Sequence, residues 1–170
     1  SLIQQHLLAH RVETYTLVEI GSAGCVTLRA FADILKVRAV KWRAIGFDLM
    51  PDKAWSLDMD EVSRAFDGTH PGSVVLLPRI PSAEEMWRRA TQTDFRHGLY
   101  LCLLDDPRAL LGGAFHYPID FAFIDASHGK SCGLDFLAIE SKVRVGGLVV
   151  FHDYGEPEQG TDWQAFDNEF

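Results

Sequence analysis

Acidic residues and histidines recur in this chain directly after short apolar runs. The first is Glu19, which closes the run from Tyr15 and stands just before the turn Gly21-Ser22-Ala23-Gly24. Small residues in such a turn let a ligand approach backbone N–H groups. Glu19 would repel a phosphate, so the turn suits a ligand with an amino group or a positive charge. Asp48 closes a second run, where a carboxylate can accept both hydroxyls of a ribose. Asp105 and Asp106 follow a third run, Asp125 to His128 a fourth, and His152-Asp153 a fifth. The oxygen and imidazole donors of Asp125, His152 and Asp153 have the chemistry for a divalent ion, magnesium or manganese before others. Any one of these acids also reads as a turn residue or a helix cap. Their common position, after one apolar run after another, is what points to a site.

Alternating strands and helices are needed to hold them. Residues 16–20 read as a buried strand and 26–36 as a helix, with Leu28, Phe31, Ile34 and Leu35 on one side. Strand two covers 43–49. A loop with Pro51 and Trp55 then leads to Ser56, an N-cap candidate for a helix reaching Phe66. Residues 74–77 form an apolar run bounded by Pro78, an extra edge strand. Ser82-Ala83-Glu84-Glu85 fits a capping box. Strand three covers 99–104, and Asp106-Pro107 reads as N-cap and first turn of a short helix stopped at Gly112-Gly113. Strand four covers 121–124, a helix 132–143, and Gly146-Gly147 turns into strand five at 148–151. Short strands apolar on both faces and separated by helices imply an α/β fold, a doubly wound, mostly parallel sheet. Ligands bind such sheets beyond the carboxyl ends of the strands, where the polar groups lie. A nicotinamide-cofactor domain is the rival, but Gly21-x-x-Gly24 is not G-x-G-x-x-G.

The chain has 170 residues, 47% of them apolar and 24% charged, which suits one globular domain over 1–170 with its core at about 15–154. A net charge of −8 argues against nucleic acid as the main partner, and Arg88-Arg89 reads as a solvated helix face. No run is long enough for a membrane span, so no membrane is expected. Three scattered cysteines and no signal peptide point to a reducing, cytoplasmic setting. The chain does not open on Met, and only residues 155–170 follow the fifth strand. A fragment truncated after that strand is the expectation; an edge covered by a partner subunit, as in a homo-oligomer, and a reduced fold are the other readings.

The residues carry a family resemblance. The chain resembles a class I S-adenosylmethionine-dependent methyltransferase, closest to a small-molecule group whose first motif reads E-I-G-[ST]-x-x-G-x-[ST] and whose fourth strand reads F-I-D-G-x-H. The matching segments are Glu19-Ile20-Gly21-Ser22-Ala23-Gly24-Cys25-Val26-Thr27, Phe123-Ile124-Asp125-Ala126-Ser127-His128 and 146–154. Cys25 and Ala126 stand where the pattern usually has glycine. The resemblance implies a Rossmann-like methyltransferase fold with S-adenosylmethionine as cofactor. Glu19, Gly21, Ser22 and Gly24 would line its methionine end. Asp48 would take the ribose and Leu49 the adenosine, with Asp105 or Asp106 near the adenine and Asp125 beside the cofactor. Asp106 reads equally as a helix cap.

Methyl transfer to a small-molecule acceptor, at a hydroxyl oxygen, is the expected activity. The acceptor's proton must leave, and His128 is the candidate base, with Asp125 as its catalytic companion. Loop hydrogen bonding is the plain alternative for His128. Trp55 and Tyr154 lie on loops where they could stack on an acceptor, whereas Trp42 and Trp87 read as packing. An inactive adenosyl-binding or interaction module on the same scaffold is the second functional reading.

Overall fold

The computed structural model describes residues 1–38, 41–49, 58–68, 74–76, 97–104, 106–113, 115–126 and 130–152. Strand β1 (Tyr15–Ile20) is buried along its whole length. Its parallel neighbours are β2 (Trp42–Leu49) on one side and β5 (Ile119–Ile124) on the other. Beyond β2 come β4 (Gly98–Leu104) and β3 (Val74–Leu76), and beyond β5 comes β6 (Val143–Phe151). The order β3-β4-β2-β1-β5-β6 is a six-stranded sheet, and every pairing in it is parallel. The chain winds outward from β1 through β2, then crosses back to β5, so the winding reverses between β1 and β5.

Both faces are covered because the central strands are apolar on both sides, successive residues pointing to opposite faces. Leu17, Trp42, Ala44 and Phe121 pack under helices α1 (Leu2–Ala9), α2 (Val26–Arg38) and α3 (Met59–Ala65), through Ile3, Leu28, Leu35 and Val62. Val18, Ile20, Phe47 and Ile124 pack under α4 (Pro107–Gly112) and α5 (Lys130–Ile139), through Leu110, Leu111 and Ile139. Trp42 is core, as its position suggested, and its ring meets His97 edge-on. Asp106 caps α4 with Pro107 in its first turn, its carboxylate accepting from the Ala109 N–H at 3.2 Å.

Several elements depart from the sequence reading. The cap of α3 is Asp58, not Ser56: its Oδ1 accepts the N–H groups of Asp60 and Glu61 at 2.9 and 3.1 Å. Ser56 and the capping box at 82–85 lie outside the described residues. The helix expected over 132–143 ends at Ile139 and gives way to one 3-10 turn at Glu140–Lys142. The last strand starts at Val143 and not after Gly146-Gly147. The glycines lie inside it, Gly146 at φ +83°, where the pairing with β5 slips between Ile119 and Phe121. A glycine pair in a strand marks such an irregularity as readily as a turn.

The polar stretch at the N-terminus is a helix, α1, pinned by its histidines. His6 Nε2 lies 2.8 Å from the Gly146 carbonyl, which can only accept, so that nitrogen carries the hydrogen. His6 Nδ1 then takes the Tyr15 hydroxyl at 2.6 Å, and burial together with the Asp120 carboxylate holds that hydroxyl protonated. His10 Nε2 meets Asp120 Oδ1 at 2.9 Å. Asp120 is fully buried. It also accepts the Thr16 N–H at 2.8 Å and lies 2.9 Å from Arg144 Nε. One carboxylate thus ties α1, β1, β5 and β6 together at the amino ends of the strands. Asp120→Ala would strand the buried Thr16 N–H and release His10 and the partly exposed Arg144, and urea unfolding should show a loss of about 1–3 kcal/mol; a loss below about 0.5 kcal/mol would remove Asp120 from the framework.

Candidate functional site

At the carboxyl ends of the strands the main chain is knotted by short exchanges. The Gly21 N–H donates to the Phe47 carbonyl at 2.8 Å, and the Asp125 N–H to Ile20 at 2.8 Å. The His152 N–H donates to Ile124 at 3.0 Å. Gly21 has φ +86°, and a Cβ there would fall on the Ala126 backbone. Only glycine fits, both by conformation and by space. Ala23 and Cys25 also have positive φ, 39° and 61°. Such a backbone favours glycine, and cysteine at 25 adopts it at some cost. The Cys25 thiol is buried, and burial raises its pKa, so it is inert as a nucleophile.

Asp48 holds this turn. Its Oδ2 accepts the N–H groups of Ser22 and Ala23 at 2.9 and 2.7 Å, and its Oδ1 that of Leu49 at 2.7 Å. Glu19 lies next to Gly46 in β2 and Phe123 in β5. Gly46 leaves the space that the Ser22 hydroxyl and Leu28 fill. Glu19 is buried, and its Oε2 has no hydrogen-bond partner among the described residues. Burial is the main force that pushes its pKa up to about 8, with the Asp125 and Asp48 carboxylates adding to the rise. The Ser22 hydroxyl offsets a part of this, although it falls outside hydrogen-bonding geometry and is itself unpartnered.

A cavity of about 380 Å³ opens beside the turn, lined by Gly21, Phe47, Asp48, Leu49, Asp106 and Ala126 among others. Arg108 and Asp135 complete its wall, joined by an Nε–Oδ1 contact of 2.6 Å that links α4 to α5. This pair escaped the sequence reading. Its one signal was a charge at 135 on the stripe formed by Cys132, Phe136 and Ile139, which is otherwise apolar and faces the sheet.

Residues 18–154 match the family model described as a methyltransferase domain. The chain belongs to that family of class I S-adenosylmethionine-dependent methyltransferases. No curated protein matches it. The Rossmann-like parallel sheet is the one expected of such a methyltransferase domain. No helix among the described residues is long and apolar enough to cross a membrane.

In this methyltransferase domain Gly21, Asp48, Leu49 and Asp106 line the cavity. Glu19 and Ser22 are buried, and Gly24 and Asp125 also lie outside its lining. Gly24 instead lies against the Glu61 side chain of α3, which a Cβ would strike. Asp125 Oδ1 is 3.0 Å from His152 Nδ1, and the His152 ring stands edge-on to Phe123. Asp105, His128, Asp153, Trp55 and Tyr154 lie outside the described residues. The metal set of Asp125, His152 and Asp153 gains no support. Among the described residues no group of three or more His, Cys, Asp or Glu is placed to hold an ion. Asp125 and His152 are engaged with each other, a poor start for oxygen-preferring magnesium or manganese.

Glu19 makes stability depend on pH with a defined sign. Its folded pKa near 8 exceeds the ordinary 4.5, so the folded chain holds the proton more tightly than the unfolded one. The stabilisation is complete below pH 4.5 and is lost as pH rises to about 8. Denaturation between pH 5 and 8 should show wild type losing up to about 1 kcal/mol per pH unit relative to Glu19→Gln. Parallel curves for the two proteins would mean that Glu19 is ionised in the folded chain.

Proposed function

We propose that this chain transfers the methyl group of S-adenosylmethionine to a hydroxyl oxygen of a small-molecule acceptor. The observation that carries the reading is the buried Glu19 carboxyl beneath a glycine turn, its Oε2 without a partner among the described residues, near a cavity walled by Asp48 and Asp106. An orphaned buried acid costs free energy unless a partner arrives. The amino group of a methionine tail is a fitting partner, and its arrival would draw the proton off Glu19. Asp48 accepts two N–H groups on Oδ2 and one on Oδ1, which leaves one Oδ1 lone pair for a ribose hydroxyl, since a carboxylate offers about four acceptor sites. Phe47, Leu49 and Ile20 give the cavity apolar walls suited to a nucleoside. Bound S-adenosylmethionine supplies the electrophilic methyl on its sulfonium.

The chain's own task is then to align an acceptor and remove its proton. His128, after β5, is the first candidate base. A specific contact favours a second. Asp125 holds the Nδ1 side of His152 at 3.0 Å, which fixes the ring and favours the tautomer whose Nε2 accepts a proton.

Calorimetry with S-adenosylmethionine between pH 6 and 7.5 tests the binding half. Wild-type affinity should rise several-fold with pH as Glu19 gives up its proton, while Glu19→Gln should bind at least tenfold more weakly with a flat profile. Identical profiles would exclude Glu19 from the cofactor site. Turnover with hydroxylated acceptors tests the chemical half. Replacing the true base by alanine, at His128 or at His152, should lower turnover about 10²–10⁴-fold with affinity nearly kept. Binding without turnover of any acceptor would favour the inactive adenosyl-binding module.

A further inference from the structure

The opposite end of the sheet carries a second cavity, of about 330 Å³, between α1, the end of α2 and the starts of β1 and β2. Four basic side chains line it, His10, Arg11, Arg38 and Lys41, and no acidic side chain does. This concentration of positive charge occurs in a chain whose net charge is −8. Two of the four are already engaged: His10 with Asp120 at 2.9 Å, and Lys41 with Glu13 at 3.1 Å. Among the described residues the side chains of Arg11 and Arg38 enter no hydrogen bond or ion pair. Unpaired guanidinium groups at one concave site are built for a carboxylate or phosphate, which each can grip with two parallel N–H bonds.

The other half of the cavity is apolar. Leu7, Leu8 and Val12 line it, and Leu8 is left 70% exposed. Val37, 78% exposed, borders the adjoining hollow that shares Leu7, Leu8 and Arg38. A small inorganic anion would leave these side chains in water. A neutral apolar molecule would leave the arginines unpaired. The geometry points to a second binding site for an amphipathic organic anion, a carboxylate or phosphate borne on an apolar body, at the end of the sheet away from the methyltransferase cavity. Its volume is that of a small-molecule pocket, and a flat membrane surface would not fill it.

Titration calorimetry with decanoate below its micelle concentration tests this. Wild type should bind one decanoate saturably, and Glu19→Gln should bind it equally well, which separates this site from the proposed cofactor pocket. Arg11→Gln/Arg38→Gln should lose at least tenfold in affinity and Arg38→Gln alone at least threefold, with thermal midpoints unchanged because both side chains are exposed. Undiminished binding by the double variant, or equal binding of 1-decanol, would overturn the site. So would adsorption to phosphatidylglycerol vesicles without binding of free decanoate, which would make this face a membrane-contact patch.

Discussion

The cavity exists because the chain turns sharply after β1 at a point where three strands end together. Asp48 provides the fixture, drawing the Ser22 and Ala23 N–H groups onto one carboxylate oxygen from the end of the neighbouring strand. Gly21 provides the clearance, lying so close to the Ala126 backbone that no side chain fits between them. The turn is therefore clamped by β2 on one side and β5 on the other. Its shape does not depend on a ligand being present, and that is the pre-organisation a binding site needs. The left-handed backbone at Ala23 and Cys25 is the strain this clamp sustains.

The same clamp creates the electrostatic tension of the site. Glu19, Asp48 and Asp125 end or nearly end adjacent strands, and the sheet spacing leaves them within reach of one another's field. Asp48 is satisfied by the turn and Asp125 by His152, so the burden falls on Glu19, the most buried of the three. It relieves that burden by holding a proton. At the other end of the sheet the arrangement is inverted. Asp120 is buried there too, but it collects the Thr16 N–H, His10 and Arg144, and it serves as a structural tie. Two buried acids on neighbouring strands thus differ in role because one has partners and the other lacks them.

Much of this was legible in the residue order. The alternation of apolar runs with amphipathic segments located β1, β2, β4 and β5 to within a residue or two, and Asp106-Pro107 announced the start of α4. The acids after the strands named Asp48 and Asp106 as cavity residues. Helix α1 was not legible, since its moderate apolar content becomes meaningful only when His6 and His10 find Tyr15, Gly146 and Asp120 far along the chain. The true start of β6 was hidden for a related reason: Gly146-Gly147 has the composition of a turn, and only pairing with β5 makes it an irregular strand. Arg108 and Asp135 carry no local pattern, because they meet across two helices.

What the sequence determined by itself is therefore the set of elements and the chemistry at their ends, because hydrophobic period, turn glycines and caps act over a few residues. The tertiary structure decided which of those acids line the cavity, which one is left buried without a partner, and that a cluster of basic residues gathers at the far end of the sheet. Those outcomes depend on burial and on distances between segments remote in sequence, and neither is a property of any local stretch.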